Sequence, residues 1–177
     1  MKVILLTLPL LMCAACNKEP SVKVENASIE DLAKEVKESG LAENTMKPGK
    51  WQYTMTVVDM SAPGMPPQAA AQMKRMMGDN RVIDKCVTEA DLKKMDSAMG
   101  EMPKNCTVDS YEAGGGNVAG KMTCKNAGMT QKIDMTGTYT AESSDMTSTS
   151  EASGGAGPMG SMKITMNMKG KRVGDCG

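Results

Sequence analysis

The sequence predicts a mainly β fold: an antiparallel meander of about seven strands forming a small barrel or sandwich, with an N-terminal helix and one or two short helices inserted between strands. Three observations predict it. Apolar and polar residues alternate from Trp51 to Val57 and again from Met162 to Met168, the two-residue period of a half-buried strand. Glycine-rich breaks such as Gly114-Gly115-Gly116 separate such runs at short intervals. The outward positions are rich in threonine, and seven short strands are too few to enclose the lumen of a membrane barrel, so the domain is expected to face water.

In chain order, the first element is an address. Lys2 is followed by an apolar run from Val3 to Leu11 and then by Ala14 and Ala15 ahead of Cys16, the layout of an export signal. Nine apolar residues are too short for a bilayer that needs about 20. "CAAC" resembles the cleavage site of bacterial lipoproteins, with Cys16 as the acylated first residue of the mature chain. It departs from that pattern in carrying Cys13 where Leu is usual. A redox pair made of Cys13 and Cys16 would need a strand followed by a helix start, which a signal segment does not offer. Simple secretion is the other alternative. By the sorting rule of lipoproteins, Asn17 in place of Asp directs the anchor to the outer membrane. The expected division is a signal peptide over residues 1–15, a tether and amphipathic helix over 16–45, and a β domain over 46–177.

Asn17 to Asn26 is polar and reads as tether. Ser28 with Asp31 three residues on then forms a capping-box variant, and Gly40 stops the helix. Ile29, Leu32, Ala33 and Val36 share a face, and a helix of about 12 residues is marginal alone, so it docks on the domain or stays near the membrane. "PGKWQYTMTVV" opens the first strand, with Trp51, Tyr53, Met55 and Val57 inward. A short helix, "QAAAQMKRMMG", follows and stops at Gly78, and "DNRVIDKCVT" is the second strand. Thr88 with Asp91 caps a further helix that sets Leu92, Met95 and Met99 on one side and ends at Gly100. "NCTVDSYEAGGGNVAGKMTC" is a hairpin. Strands follow from Gln131 to Thr140 and, more weakly, from Asp145 to Ser150. A flexible loop, "SGGAGPMGS", precedes the clearest strand, with Met162, Ile164, Met166 and Met168 inward.

Composition narrows function by exclusion. The 177-residue chain carries 21 basic and 21 acidic residues, so no net field draws in nucleic acid. It has no histidine, which removes Ser-His-Asp and Cys-His catalysis and most zinc sites. It has 20 Met and no Phe, and after residue 15 only Leu32, Leu41 and Leu92 remain of the leucines. Methionine, a flexible apolar filler, is therefore expected to replace the usual large core residues.

Four features coincide in the β domain: Pro48-Gly49-Lys50-Trp51, Cys86-Val87-Thr88, the spaced pair Cys106 and Cys124, and the ending Gly170-Lys171-Arg172-Val173-Gly174-Asp175-Cys176. Together they resemble the family of exported bacterial proteins known as domain of unknown function 3617, whose members open with "PGxW" and end with "GxxxGxC". The resemblance covers roughly residues 46 to 177. It implies an envelope location and a cysteine frame, with no activity or catalytic residue to transfer.

Cys86, Cys106, Cys124 and Cys176 form an even set, which in an oxidising compartment reads as two disulfides. Spacing alone leaves three pairings open. The preferred one joins Cys86 with Cys106 and Cys124 with Cys176. A bridge between Cys106 and Cys124, nearly opposite each other in their hairpin, is the rival.

The remaining motifs are weaker. "GGNVAGKM", Gly115 to Met122, nearly matches a phosphate-binding loop but puts Met122 where the Mg²⁺-holding hydroxyl belongs and is followed by a strand pattern; a hairpin turn is the plain reading. Asn26-Ala27-Ser28 and Asn105-Cys106-Thr107 match a glycosylation pattern that carries no meaning for a bacterial lipoprotein. Met65, Met73, Met76 and Met77 cluster around one short helix and offer soft thioethers of the kind that bind Cu(I) or Ag(I). The expectation is a lipid-anchored envelope protein without cofactor or catalysis, acting as a binding or structural module. Its partners would be the membrane and either an apolar ligand or another envelope protein. The alternative is a periplasmic Met-rich Cu(I)/Ag(I)-binding protein.

Overall fold

The computed structural model describes residues 20–77, 80–98, 103–154 and 161–177. The predicted signal segment with Cys13 and Cys16, the predicted helix stops Gly78 and Gly100, Met99, the side chain of Met95 and residues 155–160 of the predicted glycine-rich loop lie outside the described residues. The elements are β1 (Val22–Ser28), α1 (Ile29–Ser39), α2 (Leu41–Thr45), β2 (Gly49–Ser61), α3 (Pro67–Met77), β3 (Arg81–Val87), α4 (Glu89–Ala98), β4 (Cys106–Gly114), β5 (Asn117–Asn126), β6 (Met129–Tyr139), β7 (Ser143–Ser153) and β8 (Met162–Gly174).

All strands join one antiparallel eight-stranded sheet in the order β1-β4-β5-β6-β7-β8-β2-β3. The predicted meander is its centre, from β4 to β8. The hairpin turn at Gly115 and Gly116 has φ of 57° and 76°, the pair of positive values a type I′ turn requires. Closure into a barrel, and the two layers of a sandwich, do not occur. The edges β1 and β3 stay apart because both carry charge along their length: Lys23 and Glu25 on β1, and Arg81, Asp84 and Lys85 on β3, where every residue from Arg81 to Cys86 is exposed. Charged edges discourage further pairing. Helices, instead of a second sheet, cover the apolar face.

The eighth strand is the segment expected to be a tether. Its sequence is polar, but Val22 is 4 % exposed and pairs with Ala113, and Val24 pairs with Tyr111. Ser28 ends the strand and starts α1 as predicted: Asp31 N donates to Ser28 Oγ at 3.0 Å and Ser28 N donates back to Asp31 Oδ2 at 3.3 Å. Gly40, at φ 58°, stops the helix. The face of α1 named by its periodicity is buried through Ile29, Leu32 and Val36, which pack on β1 and β4. Removing Leu32 from water contributes about 1.5–3 kcal/mol, which a solitary helix this short would lack.

The cap of α4 is a second reciprocal box, with Thr88 N donating to Asp91 Oδ2 at 2.9 Å and Asp91 N to Thr88 Oγ1 at 3.2 Å. It turns Leu92 into a small second core with Trp51 and Val87. Trp51 is fully buried, and its Nε1 donates to Lys47 O at 3.0 Å, so the indole loses no hydrogen bond on burial.

Two further expectations are corrected. Methionine does not fill the core. Among the described residues the buried apolar side chains are those of Val, Ile, Leu, Trp, Tyr, Ala and Cys, with Met60 the one buried methionine. On β8 the predicted alternation holds but the depth does not: Met162, Ile164 and Met166 are half-buried and Met168 is exposed. The cause is coverage, since the helices make their main contacts with β1, β4, β2 and one another.

The disulfides join Cys86 with Cys176 and Cys106 with Cys124, so the rival pairing holds and the preferred one does not. Cys106 and Cys124 face each other in the β4–β5 register. The helical excursion through α4 carries the chain from β3 at one edge to β4 near the other, which separates Cys86 from Cys106. β3 lies beside β2, and β2 beside β8, so the end of β8 brings Cys176 to Cys86.

Candidate functional site

The paired sequence motifs at the two ends of the β domain meet in one place. Pro48 and Gly49 enter β2 alongside the last residues of β8, with Lys50 opposite Gly174 and Trp51 opposite Arg172. Arg172 Nε donates to Pro48 O at 2.8 Å, Arg172 N donates to Glu142 O at 2.9 Å, and the guanidinium pairs with Asp175. Gly49 is required twice over. Its φ is +145°, and a Cβ there would approach Arg172 Nε and Gly174 O to 2.5 Å. With the adjacent bridge to Cys86, these residues form a clasp that fastens the C-terminus to the β2–β3 edge. Their chemistry is structural.

The site that can hold something else lies between α1–α2 and the helix-facing side of the sheet. An open cavity of about 280 Å³ is lined by Val36, Leu41, Ala42, Thr45 and Met46 from the helical side. The sheet contributes Tyr53, Tyr111, Val118, Met135, Tyr139, Ser144, Met146 and Met168. Strand register explains the methionines: Met146 is opposite Met168, which is opposite Met55, so thioethers lie side by side on three neighbouring strands. None of the lining residues is charged. Burial raises the phenol of Tyr53 above its usual range, as expected at an apolar wall.

Three glycines inside strands set the shape of that wall, and periodicity gave no sign of them. A Cβ at Gly120 would come to 3.2 Å from the Tyr111 ring, one at Gly170 to 2.9 Å from the Tyr53 ring, and one at Gly137 would run into Met146 Sδ. Each glycine is thus a trough in which a cavity-lining side chain lies across the sheet. The available signal was glycine interrupting an otherwise regular strand pattern.

The arrangement suits apolar binding. Among the described residues no group of three or more Cys, Asp or Glu is placed to hold a metal ion. The soft-metal candidates sit elsewhere in the fold, on and before α3, which packs on β2 and buries no residue. Met65 and Met73 are half-buried, while Met76 is 80 % exposed and Met77 is exposed. The hollow between α3 and β2 is lined by Met65 but not by the other three. Cys16, the predicted acylation site, lies outside the described residues, four positions before Pro20.

A family model described as protein of unknown function (DUF3617) matches residues 46–176. No curated protein and no solved structure matches the chain. The matched span contains the clasp, the sheet side of the cavity and Met46, while β1 precedes it, as do α1 and α2, which supply the rest of the helical wall.

Proposed function

The chain belongs to the DUF3617 family, whose description carries no activity, and we propose that it is an exported, lipid-anchored envelope protein that binds an apolar ligand between its helices and its sheet. The observation that carries this reading is the uncharged cavity flanked by Met46, Met135, Met146 and Met168. A core meant only for scaffolding gains from being filled, because each void forfeits dispersion contacts. Here strand glycines hold Tyr53, Tyr111 and Met146 flat against the sheet, which preserves space in place of closing it. Unbranched thioethers around that space adapt to a guest without backbone movement. The module acts without catalysis, since the cavity wall offers hydroxyls and thioethers but no paired acid and base.

Anchoring through Cys16 would set the module at a membrane face, and two or three acyl chains would make the attachment firm. The test is intact-mass analysis after gentle native extraction of the full chain. The expected result is a mature N-terminus at Cys16 carrying acyl chains, together with a co-purified apolar molecule lost on denaturation. A protein that is acylated but carries no apolar molecule, and takes up none from lipid extract, would overturn the binding reading. An unmodified Cys16 would overturn the anchor.

A further inference from the structure

The cavity is the middle one of three spaces in series. On one side it shares Thr45 and Tyr139 with an open pocket of about 400 Å³ that is also lined by Pro20, Gly115, Gly116 and Thr140. On the other side it shares Tyr111 and Met135 with a smaller pocket of about 180 Å³. Among the described residues, the only charged side chain lining any of the three is that of Lys121, in the smallest, where its amine pairs with Asp134 at 3.6 Å and its methylenes remain as wall. The cavity and the smaller pocket together reach the range of about 300–1,000 Å³ usual for small-molecule sites.

The mouth also holds Pro20, the described residue nearest in sequence to the predicted anchor. Pro20 lies four residues after Cys16. An extended chain covers at most about 3.6 Å per residue, so an anchor at Cys16 keeps the mouth within about 14 Å of its attachment point.

We propose that the three spaces form a slot for a single unbranched acyl chain, taken from a lipid of the bilayer in which the protein is anchored, with the headgroup remaining at the mouth. This rests on the anchored-binder reading and narrows it to one ligand class and one source. Thr45 with Tyr139, and Tyr111 with Met135, stand between adjoining spaces; a guest that bends about its own single bonds would thread past them, with the adjoining methionines yielding to it. The uncharged lining rejects an ionised headgroup, which would lose its hydration without a partner. An acyl chain passing from bilayer to slot exchanges one apolar surrounding for another, so loading is reversible beside a membrane and slow through water.

The test reconstitutes the full-length acylated protein in vesicles of phosphatidylethanolamine and phosphatidylglycerol containing a phospholipid with a photoactivatable diazirine near the end of one acyl chain. After irradiation, the labelled peptides are mapped. We expect label on the peptides containing Tyr111, Met135 or Met146, falling at least fivefold in Ser144→Leu, which fills the cavity. Met168→Ala, which enlarges it, is expected to raise that label, and this variant keeps the test sound if Ser144→Leu does not fold. Label that ignores both substitutions, or that falls on peptides of the outer polar face alone, overturns the slot. A parallel arm offers a diazirine fatty acid in solution to unanchored Cys16→Ser protein. Cavity labelling there, with none from vesicles, overturns the bilayer source and leaves apolar binding standing. Absence of labelling in both arms overturns both readings.

Discussion

Under α1, the flank formed by β1, β4 and β5 buries Val22, Ile29, Leu32, Val36, Val108 and Val118 to at most 8 % exposure. Across the sheet, on β6, β7 and β8, Met135, Met146, Met162 and Met166 remain half-buried and Met168 is exposed, with Ser144, Ser148 and Ser150 interleaved on the same face. The branched and leucine side chains that are most deeply buried here lie where a helix is held against the sheet. Thioethers lie where a cavity persists. Rigid, branched side chains favour one packing arrangement, whereas Met tolerates several. The cavity opens along the seam between the two flanks, walled by Val36, Tyr111 and Val118 from the packed flank and by Met135, Met146 and Met168 from the open one.

Each flank has its own staple, and removing them is expected to produce the largest effects. In the chain-entropy model the bridge from Cys86 to Cys176, spanning 90 residues, contributes about 4.6 kcal/mol, against about 3.2 kcal/mol for the 18-residue bridge from Cys106 to Cys124. Urea unfolding of Cys86→Ala/Cys176→Ala is expected to show a loss near the larger figure. Exposure separates the two bridges further. Cys86 and Cys176 are exposed while Cys106 is 6 % exposed, so mild dithiol reduction followed by alkylation is expected to label Cys86 and Cys176 first. Simultaneous labelling of all four cysteines would contradict this.

Within the packed flank, Leu32→Ala is expected to cost about 2–5 kcal/mol, because its site is 2 % exposed and hemmed in by α1, β1 and β4. Met166→Ala on the open flank is expected to cost about 1 kcal/mol, since a half-buried side chain forfeits only part of that term. Equal losses in chemical denaturation would erase the distinction between the flanks.

Smaller effects come from the helix caps. Ser28→Ala is expected to cost about 1 kcal/mol. Asp31 is held below its ordinary value of 3.8 by the Ser28 hydroxyl and backbone N–H, with Lys34 adding to them. Asp91 is lowered in the same direction by the Thr88 N–H and hydroxyl. A carboxyl with a depressed folded pKa stabilises fully above its unfolded value, and that contribution is lost as pH falls through the folded value. Thermal unfolding is therefore expected to lose stability below about pH 4, with a shallower acid limb in Asp31→Asn and Asp91→Asn. An unchanged limb would show that the caps carry no charge term.

What could be read from the chain divides along the line between local and distant causes. Both capping boxes, the Gly40 stop and the alternation of β2 and β8 follow from neighbours within a few residues. β1 was hidden because VKVENAS is an edge strand that buries one side chain, Val22, and borrows its order from β4. The pairing of Cys86 with Cys176 depends on β3 returning to β2 and β8 on β2's other side, a fact of strand order and not of spacing. The depth of each methionine is likewise distant information: the pattern shows which face a side chain occupies, while the placement of α1, α2 and α4 decides whether that face is covered. Part of the cavity was visible as inward-facing Met and Tyr. Its hollowness was not, because it arises from Gly120, Gly137 and Gly170, whose roles depend on residues of adjoining strands.

Binding between helices and sheet requires the methionine-lined wall to be a receptive surface. The most direct measurement is a spectrum of the full-length protein with ¹³C-labelled methionine methyl groups, recorded while an acyl-chain lipid is added. The resonances of Met46, Met135, Met146 and Met168 are expected to move together and saturate, while those of Met76 and Met77 on α3 stay in place. Stationary cavity resonances, or shifts confined to α3, would contradict it.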